Sequence, residues 1–234
     1  MASERPVLRI AYMENTTYVT DAPQELVKRA LDDLGYKSEF TALPFSRSVM
    51  MANAGEFDAE LVRFPTIEAS NPNLVRVPVP IRVINYVPVT LGDLGVKLQN
   101  WPAIVTSKLR VGARAGAKLT ESMIPRGQLT SVPNYDSLLR MLLLRRIDVA
   151  IVPQGLLGDY YSNMPPELQG RLKDVQELPV FATENMYFYL HRRHAALAPA
   201  IATALQCSQE TLPKKGKLPV SCRKHGVTSI KTSR

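Results

Sequence analysis

Two stretches decide how this chain reads. The first runs from Leu43-Pro44-Phe45 to Gly55-Glu56-Phe57-Asp58-Ala59-Glu60-Leu61-Val62. The second runs from Val132-Pro133-Asn134-Tyr135 to Arg145-Arg146-Ile147-Asp148-Val149-Ala150-Ile151-Val152. Pro to Asp spans fourteen positions in one and fifteen in the other. In each, a strand ends at Pro and a polar residue, Ser46 or Asn134, stands where a helix cap belongs. The helix then hands over to a buried strand opened by Asp. A strand–helix–strand unit met twice implies an α/β protein with largely parallel pairing.

Working outward, each unit is preceded by a matching short strand. Leu8-Arg9-Ile10-Ala11-Tyr12 opens the first half and Leu109-Arg110-Val111-Gly112-Ala113 the second. Between Leu8 and Leu43 the pattern predicts a helix. Asp21 with Gln24 fits a capping box, Leu26, Val27, Ala30, Leu31 and Leu34 form an apolar face, and Gly35 ends it. Its counterpart in the second half is shorter, around Lys118–Ile124. The apolar run Leu138–Leu144 reads as core. Asn185–Leu190 reads as a strand and Ala195–Gln206 as a helix that returns to the first lobe. The expected lobes are residues 7–88 with 182–234, and 89–181. Crossing segments near Asn85–Leu91 and Glu177–Thr183 would serve as hinges.

The chain has 234 residues, 45% hydrophobic, and a formal charge of +8. Residues 211–234 hold seven Lys/Arg and no acid, leaving +1 for the rest. The basicity therefore belongs to the tail and gives no argument for nucleic acid as a partner. No apolar run is long enough for a membrane span. Met1-Ala2-Ser3-Glu4-Arg5-Pro6 lacks the apolar core of a signal peptide. Cys207 and Cys222, fifteen positions apart, allow one disulfide or two free thiols.

The pieces quoted above, with Phe45-Ser46-Arg47, Arg114-Ala115-Gly116 and Tyr189-Leu190-His191-Arg192-Arg193-His194, resemble the bacterial extracellular solute-binding protein family 3. The resemblance covers roughly residues 7–206. It implies a two-lobed type II periplasmic-binding-protein fold, each lobe a mixed, mostly parallel sheet flanked by helices, with two hinge crossovers. It implies a small ligand held in an inter-lobe cleft, delivery to a membrane permease and a periplasmic location, the leader having been removed. A monomer without cofactor or metal is expected.

Ligand contacts in such folds come from loops at the C-terminal ends of strands. Here these are Glu14–Tyr18, Phe45–Arg47, Val62–Pro65, Arg114–Lys118 and Val152–Gln154. The resulting ligand-binding candidates are Glu14, Tyr18, Phe45, Arg47, Arg63, Phe64, Tyr86, Arg114, Gly116, Lys118 and Gln154. Amino-acid binders of the family place Ser/Thr residues and then an Arg after the third strand. This chain has Val62-Arg63-Phe64-Pro65-Thr66. The family's Gly-Thr-Thr becomes Gly116-Ala117-Lys118, and its ammonium-holding Asp becomes Pro153. What remains is cationic: Arg47, Arg63, Arg114 and Lys118, with the amide groups at Gly116. An anionic or carboxylate-bearing ligand is therefore expected. Tyr135 is a further aromatic candidate, while Tyr12 reads as core or lobe packing.

No dinucleotide fingerprint, phosphate loop ending in Gly-Lys-Ser/Thr, or nucleophile elbow is present. His191 and His194 stand three apart with no completing ligand, and read as solvated. Two other readings stay open. One is a dehydratase-like enzyme using Glu14 or Glu60. The other is a ligand-sensing module of a signalling system.

Overall fold

The computed structural model describes residues 5–14, 17–157 and 166–211. The chain forms two compact units. Unit 1 takes the residues up to Val83 and those from Asn185 onward; unit 2 is Ile84–Glu184. Among the described residues no helix is long and apolar enough to cross a membrane.

Unit 1 holds a sheet in the order β2 (Lys37–Leu43), β1 (Val7–Met13), β3 (Ala59–Arg63) and β9 (Ala182–His191). The first three strands are parallel and β9 is antiparallel to β3. Helix α1 (Thr17–Asp33) buries Leu26, Val27, Ala30 and Leu31. It packs on α7 (Ala198–Thr211), whose Ile201 and Leu205 are also buried. The helix starts one turn before the Asp21–Gln24 capping signature. That extra turn packs Thr20, which is 2% exposed, and packing outweighs a local capping preference. Helix α2 (Phe45–Ala54) likewise begins ahead of Ser46: Pro44 precedes it with no side-chain cap. It ends at Gly55, where φ is 83°.

Unit 2 carries the order β8 (Val175–Glu177), β4 (Leu74–Leu91), β7 (Val149–Pro153), β5 (Val111–Arg114) and β6 (Leu129–Val132). Strands β7, β5 and β6 are mutually parallel, and β4 is antiparallel to β7 and β8. The helices of this unit whose bounds lie within the described residues are α3 (Trp101–Ser107), α4 (Lys118–Met123), α5 (Tyr135–Leu143) and α6 (Pro166–Leu172). The Asn134 side chain caps α5, accepting from the Ser137 amide at 2.8 Å. Leu138, Leu139, Leu142, Leu143 and Ile147 pack on Val87, Ala150 and Val152. Leu144, expected in this core, is 48% exposed instead, because the helix ends on it. Gly112 sits under that core: a Cβ there would stand 2.4 Å from Ile147 and 2.7 Å from Leu138.

The chain passes between units at Val83–Ile84 within β4 and at Glu184–Asn185 within β9. The amides of Leu178 and Phe181 donate to the carbonyls of Pro88 and Tyr86, fixing that stretch within unit 2.

The repeated Asp does one job in both units. Asp58 accepts from the Arg9 amide at 2.8 Å, and its own amide donates to the Arg9 carbonyl at 2.8 Å. Asp148 does the same with Arg110, again at 2.8 Å for both bonds. Each Asp thus closes the gap between a helix end and the start of two parallel strands.

Candidate functional site

In unit 1, the C-terminal ends of β1, β2 and β3 bring Met13, Phe45 and Arg63 together. Along β3, Glu60 faces Tyr189 of β9 and Arg63 faces Tyr187, so two residues on one strand, Leu61 and Val62, oppose one on the other, Phe188. That β-bulge undoes the strict alternation of faces. It lets Arg63 reach Glu60 on one side of the sheet, with Arg63 Nε 2.6 Å from Glu60 Oε1. Both side chains are enclosed, at 3% and 0% exposed.

Ser48 of α2 donates to Glu60 Oε1 at 3.3 Å and accepts from Arg63. Arg63 also donates to the Phe45 carbonyl at 3.3 Å and lies 4.5 Å under the Phe45 ring centroid. Glu60 Oε2 is buried with no hydrogen-bond partner among the described residues. Burial pushes the Glu60 carboxyl up to about 7, against the pull of Arg63 and Ser48 in the other direction. Burial also lowers the Arg63 guanidinium, with Glu60 opposing.

This corrects two expectations. Arg63 is not an open, ligand-facing cation but half of an interior pair with Glu60. Glu60 is enclosed, so of the two carboxylates named for an enzyme only Glu14 is exposed. Phe45 does present its ring, at 51% exposed. Arg47 is exposed and makes no ion pair among the described residues. Phe64 is half-buried, just ahead of a short 3-10 helix (Pro65–Ser70). Tyr18 lies on α1, and its side chain is outside the described residues.

Unit 2 gathers its candidates at the C-terminal ends of β5 and β7. Arg114 ends β5, and its guanidinium lies 5.5 Å from the Tyr135 ring centroid. Its Nε is buried without a hydrogen-bond partner among the described residues. Gly116 turns the chain at φ 85°. Its amide is not open to a ligand: Glu121 accepts from it at 2.8 Å and from Lys118 Nζ at 2.9 Å. The Lys118 and Gly116 bonds hold the Glu121 carboxyl below its ordinary range. Lys118 is therefore paired within α4, and the Gly116 amide satisfied, by a carboxylate three residues after the Lys, a spacing visible in the sequence.

Gln154 is exposed and accepts from Asn85 Nδ2 at 3.2 Å, while Thr183 Oγ1 donates to Asn85 Oδ1 at 3.2 Å. Tyr86 is buried and donates to Glu184 Oε2 at 3.2 Å. Burial raises the Glu184 carboxyl, with Tyr86 opposing. Asn85 and Thr183 bound the expected hinge segments but, like Glu184, carry no motif that marks them as site residues. A separate cavity of about 300 Å3 lies between Val96–Gln99 and Leu178–Val180.

His194, expected to be solvated, lies 2.9 Å from Asp58 Oδ1. Burial works against the Asp58 charge, yet the Arg9 amide, Arg193 and His194 together hold the carboxyl below its ordinary value. Cys207 is buried and disulfide-bonded. The one other cysteine, Cys222, lies outside the described residues.

No family model matches the chain. An uncharacterised protein of Shewanella oneidensis is 23% identical over 208 residues, covering 86% of this chain and 77% of that one. A histidine kinase sensor domain with similarity to periplasmic binding proteins superposes with a TM-score of 0.64 at 15% identity, covering 88% and 92% of the two chains. AbpA, an amino acid ABC transporter substrate-binding protein of Streptococcus pneumoniae bound to L-arginine, gives 0.58 at 13% identity, covering 88% and 90%. The fold is that of the two-lobed periplasmic binding proteins. The parallel strands in each unit, ending in the loops just described, are its frame.

Proposed function

We propose that this binding-protein fold captures a small, carboxylate-bearing solute in the periplasm for handover to a membrane permease. Arg114 carries the reading. Of the cations at the strand ends of unit 2, Lys118 is matched by its own carboxylate, whereas Arg114 is stacked on Tyr135 with a buried Nε that has no hydrogen-bond partner among the described residues. A guanidinium held this way is set for a planar anion. In unit 1, Phe45 and Arg47 are the corresponding candidates for stacking and charge. Gln154 and Glu14 are candidates for polar contacts. The likeness to AbpA, which is bound to L-arginine, supports solute capture in general.

A thermal-shift and calorimetry panel of small carboxylates, neutral solutes and amines tests this. Some carboxylate raises the melting temperature, and Arg114→Gln weakens it roughly ten- to a hundredfold, the range for a hydrogen bond to a charged group. Stabilisation by neutral or cationic solutes alone would refute the reading. A sensing role is the second reading, favoured by the kinase sensor domain's TM-score of 0.64. Co-purification of the native protein separates the two: a permease partner supports transport and a kinase partner supports sensing.

A further inference from the structure

Equivalent corners of the two units differ in charge. After α2 the chain reads Gly55-Glu56, and after α5 it reads Arg145-Arg146. The backbones match: the Gly55 amide donates to the Ala52 carbonyl and Arg145 to Leu142, Glu56 to Met51 and Arg146 to Met141. Gly55 has φ 83° and Arg145 has φ 56°. Glycine tolerates that conformation and arginine does not favour it.

The same holds at the end of α3, where Lys108 has φ 57°. Lys108 and Arg145 are the non-glycine residues with positive φ among those described. Both lie on one edge of unit 2, where β5, β6, β7 and β8 begin and β4 ends. Hydrogen bonds knit that edge together. Arg110 Nη2 donates to the Arg145 carbonyl at 2.9 Å and Gln128 Nε2 to the Ile104 carbonyl at 2.9 Å. The Gly92 amide donates to the Asp174 carbonyl at 2.7 Å.

The edge carries Lys108, Arg110, Arg126, Arg145, Arg146 and Lys173, all exposed. Among the described residues, the carboxylates beside these six cations are Asp93, Asp148 and Asp174. Asp148 is taken up by Arg110 at 2.6 Å, and Asp93 by the Gly95 amide at 2.8 Å. Leu144 and Met123 flank the cations at 48% and 44% exposed. The matching end of unit 1 balances its charges instead, with Arg5 on Asp32, Lys37 on Glu39 and Arg193 on Asp58.

We propose that this edge of unit 2 docks on an anionic lipid bilayer, its cations meeting lipid phosphates while Leu144 and Met123 enter the headgroup layer. Clustered Lys and Arg interspersed with exposed aliphatic side chains suit such a surface. Hot spots of protein interfaces are enriched in Trp and Tyr beside Arg, whereas among the described residues the exposed large apolar side chains of this edge are Leu144 and Met123, which favours the bilayer. Arg114 lies at the opposite end of β5, so docking leaves the solute loops of unit 2 free.

The test is co-sedimentation of the full chain with vesicles of equal phosphatidylglycerol and phosphatidylcholine, against phosphatidylcholine alone. The parent binds the anionic vesicles and is released by high salt. Arg126→Glu/Arg145→Gly/Arg146→Glu lowers the bound fraction at least about tenfold. Arg126→Gln alone, in an exposed turn, gives a smaller loss and covers the case of a misfolded triple variant. Three outcomes would overturn the proposal. The parent does not prefer anionic vesicles. The triple variant binds as the parent does, which assigns the binding elsewhere, such as to the seven cations after Thr211. Or the edge retains polyglutamate but not vesicles.

Discussion

Units 1 and 2 use one backbone plan and fill it with different chemistry. Asp58 and Asp148 each bridge a helix end to a strand start, yet the next turn of sequence diverges. Glu60 and Arg63 in β3 correspond to Ala150 and Pro153 in β7, so an interior ion pair in one unit is plain apolar strand in the other. Ala11 in β1 corresponds to Gly112 in β5. The plan fixes where a residue sits; the neighbours on each face decide what that position tolerates.

The largest effect is expected at the interior pair. Glu60→Ala leaves Arg63 buried and uncompensated, at a cost of about 3–5 kcal/mol in urea unfolding. Glu60→Ala/Arg63→Leu, which gives β3 the apolar character of β7, recovers most of that loss. A double variant as unstable as the single one breaks the comparison.

Next is Gly112→Ala, giving unit 2 the residue that unit 1 carries. Ile147 and Leu138 crowd the new methyl, and overpacking costs about 1–3 kcal/mol. Ala11→Gly, its mirror, costs about 1 kcal/mol because it adds backbone freedom and removes no clash.

Acidity tests the interior pair from another side. The Glu60 carboxyl is raised to about 7, so between its ordinary range and that value the native state holds a proton the unfolded chain has lost. Stability therefore falls as pH rises across that window and is flat above it. Asp58 and Asp148 are depressed, so their contribution is present above the ordinary carboxylate range and is lost as pH falls below it. Urea midpoints across pH show both limbs. Glu60→Gln flattens most of the limb between the ordinary carboxylate range and neutrality, leaving the share of Glu184, whose carboxyl burial also raises, and it leaves the acid limb; an unchanged slope would contradict the assignment.

The smallest effect is at the left-handed caps. Arg145→Gly changes stability by less than about 1 kcal/mol, since relief of backbone strain offsets the added chain freedom. The reverse exchange, Gly55→Arg, costs about 2 kcal/mol: the φ is 83° and a Cβ meets Arg193 at 3.1 Å.

The fold was legible because the duplicated Pro–helix–Asp–strand unit is a local pattern whose period and punctuation follow from backbone geometry. The loops carrying Phe45, Arg114 and Gln154 followed from the same pattern. The charge state of the candidates was not legible. Arg63 looked open because alternation along β3 separates it from Glu60, and a bulge has no reliable sequence mark. Lys118 could have been read correctly, since Glu121 stands three residues on. His194 joined Asp58 across 136 positions, a distance no short motif spans.

That same Asp58 corner fastens together Arg9 near one end of the chain, Gly55 in its first half, and Arg193 and His194 late in it. Unit 2 is a single uninterrupted segment, whereas the unit 1 sheet is finished by a strand that follows it. During synthesis unit 2 can close all its strand pairings while β1–β3 still lack their antiparallel neighbour. The connectivity thus lets the inserted segment complete its pairings before the unit that hosts it, whose sheet waits for a strand made later.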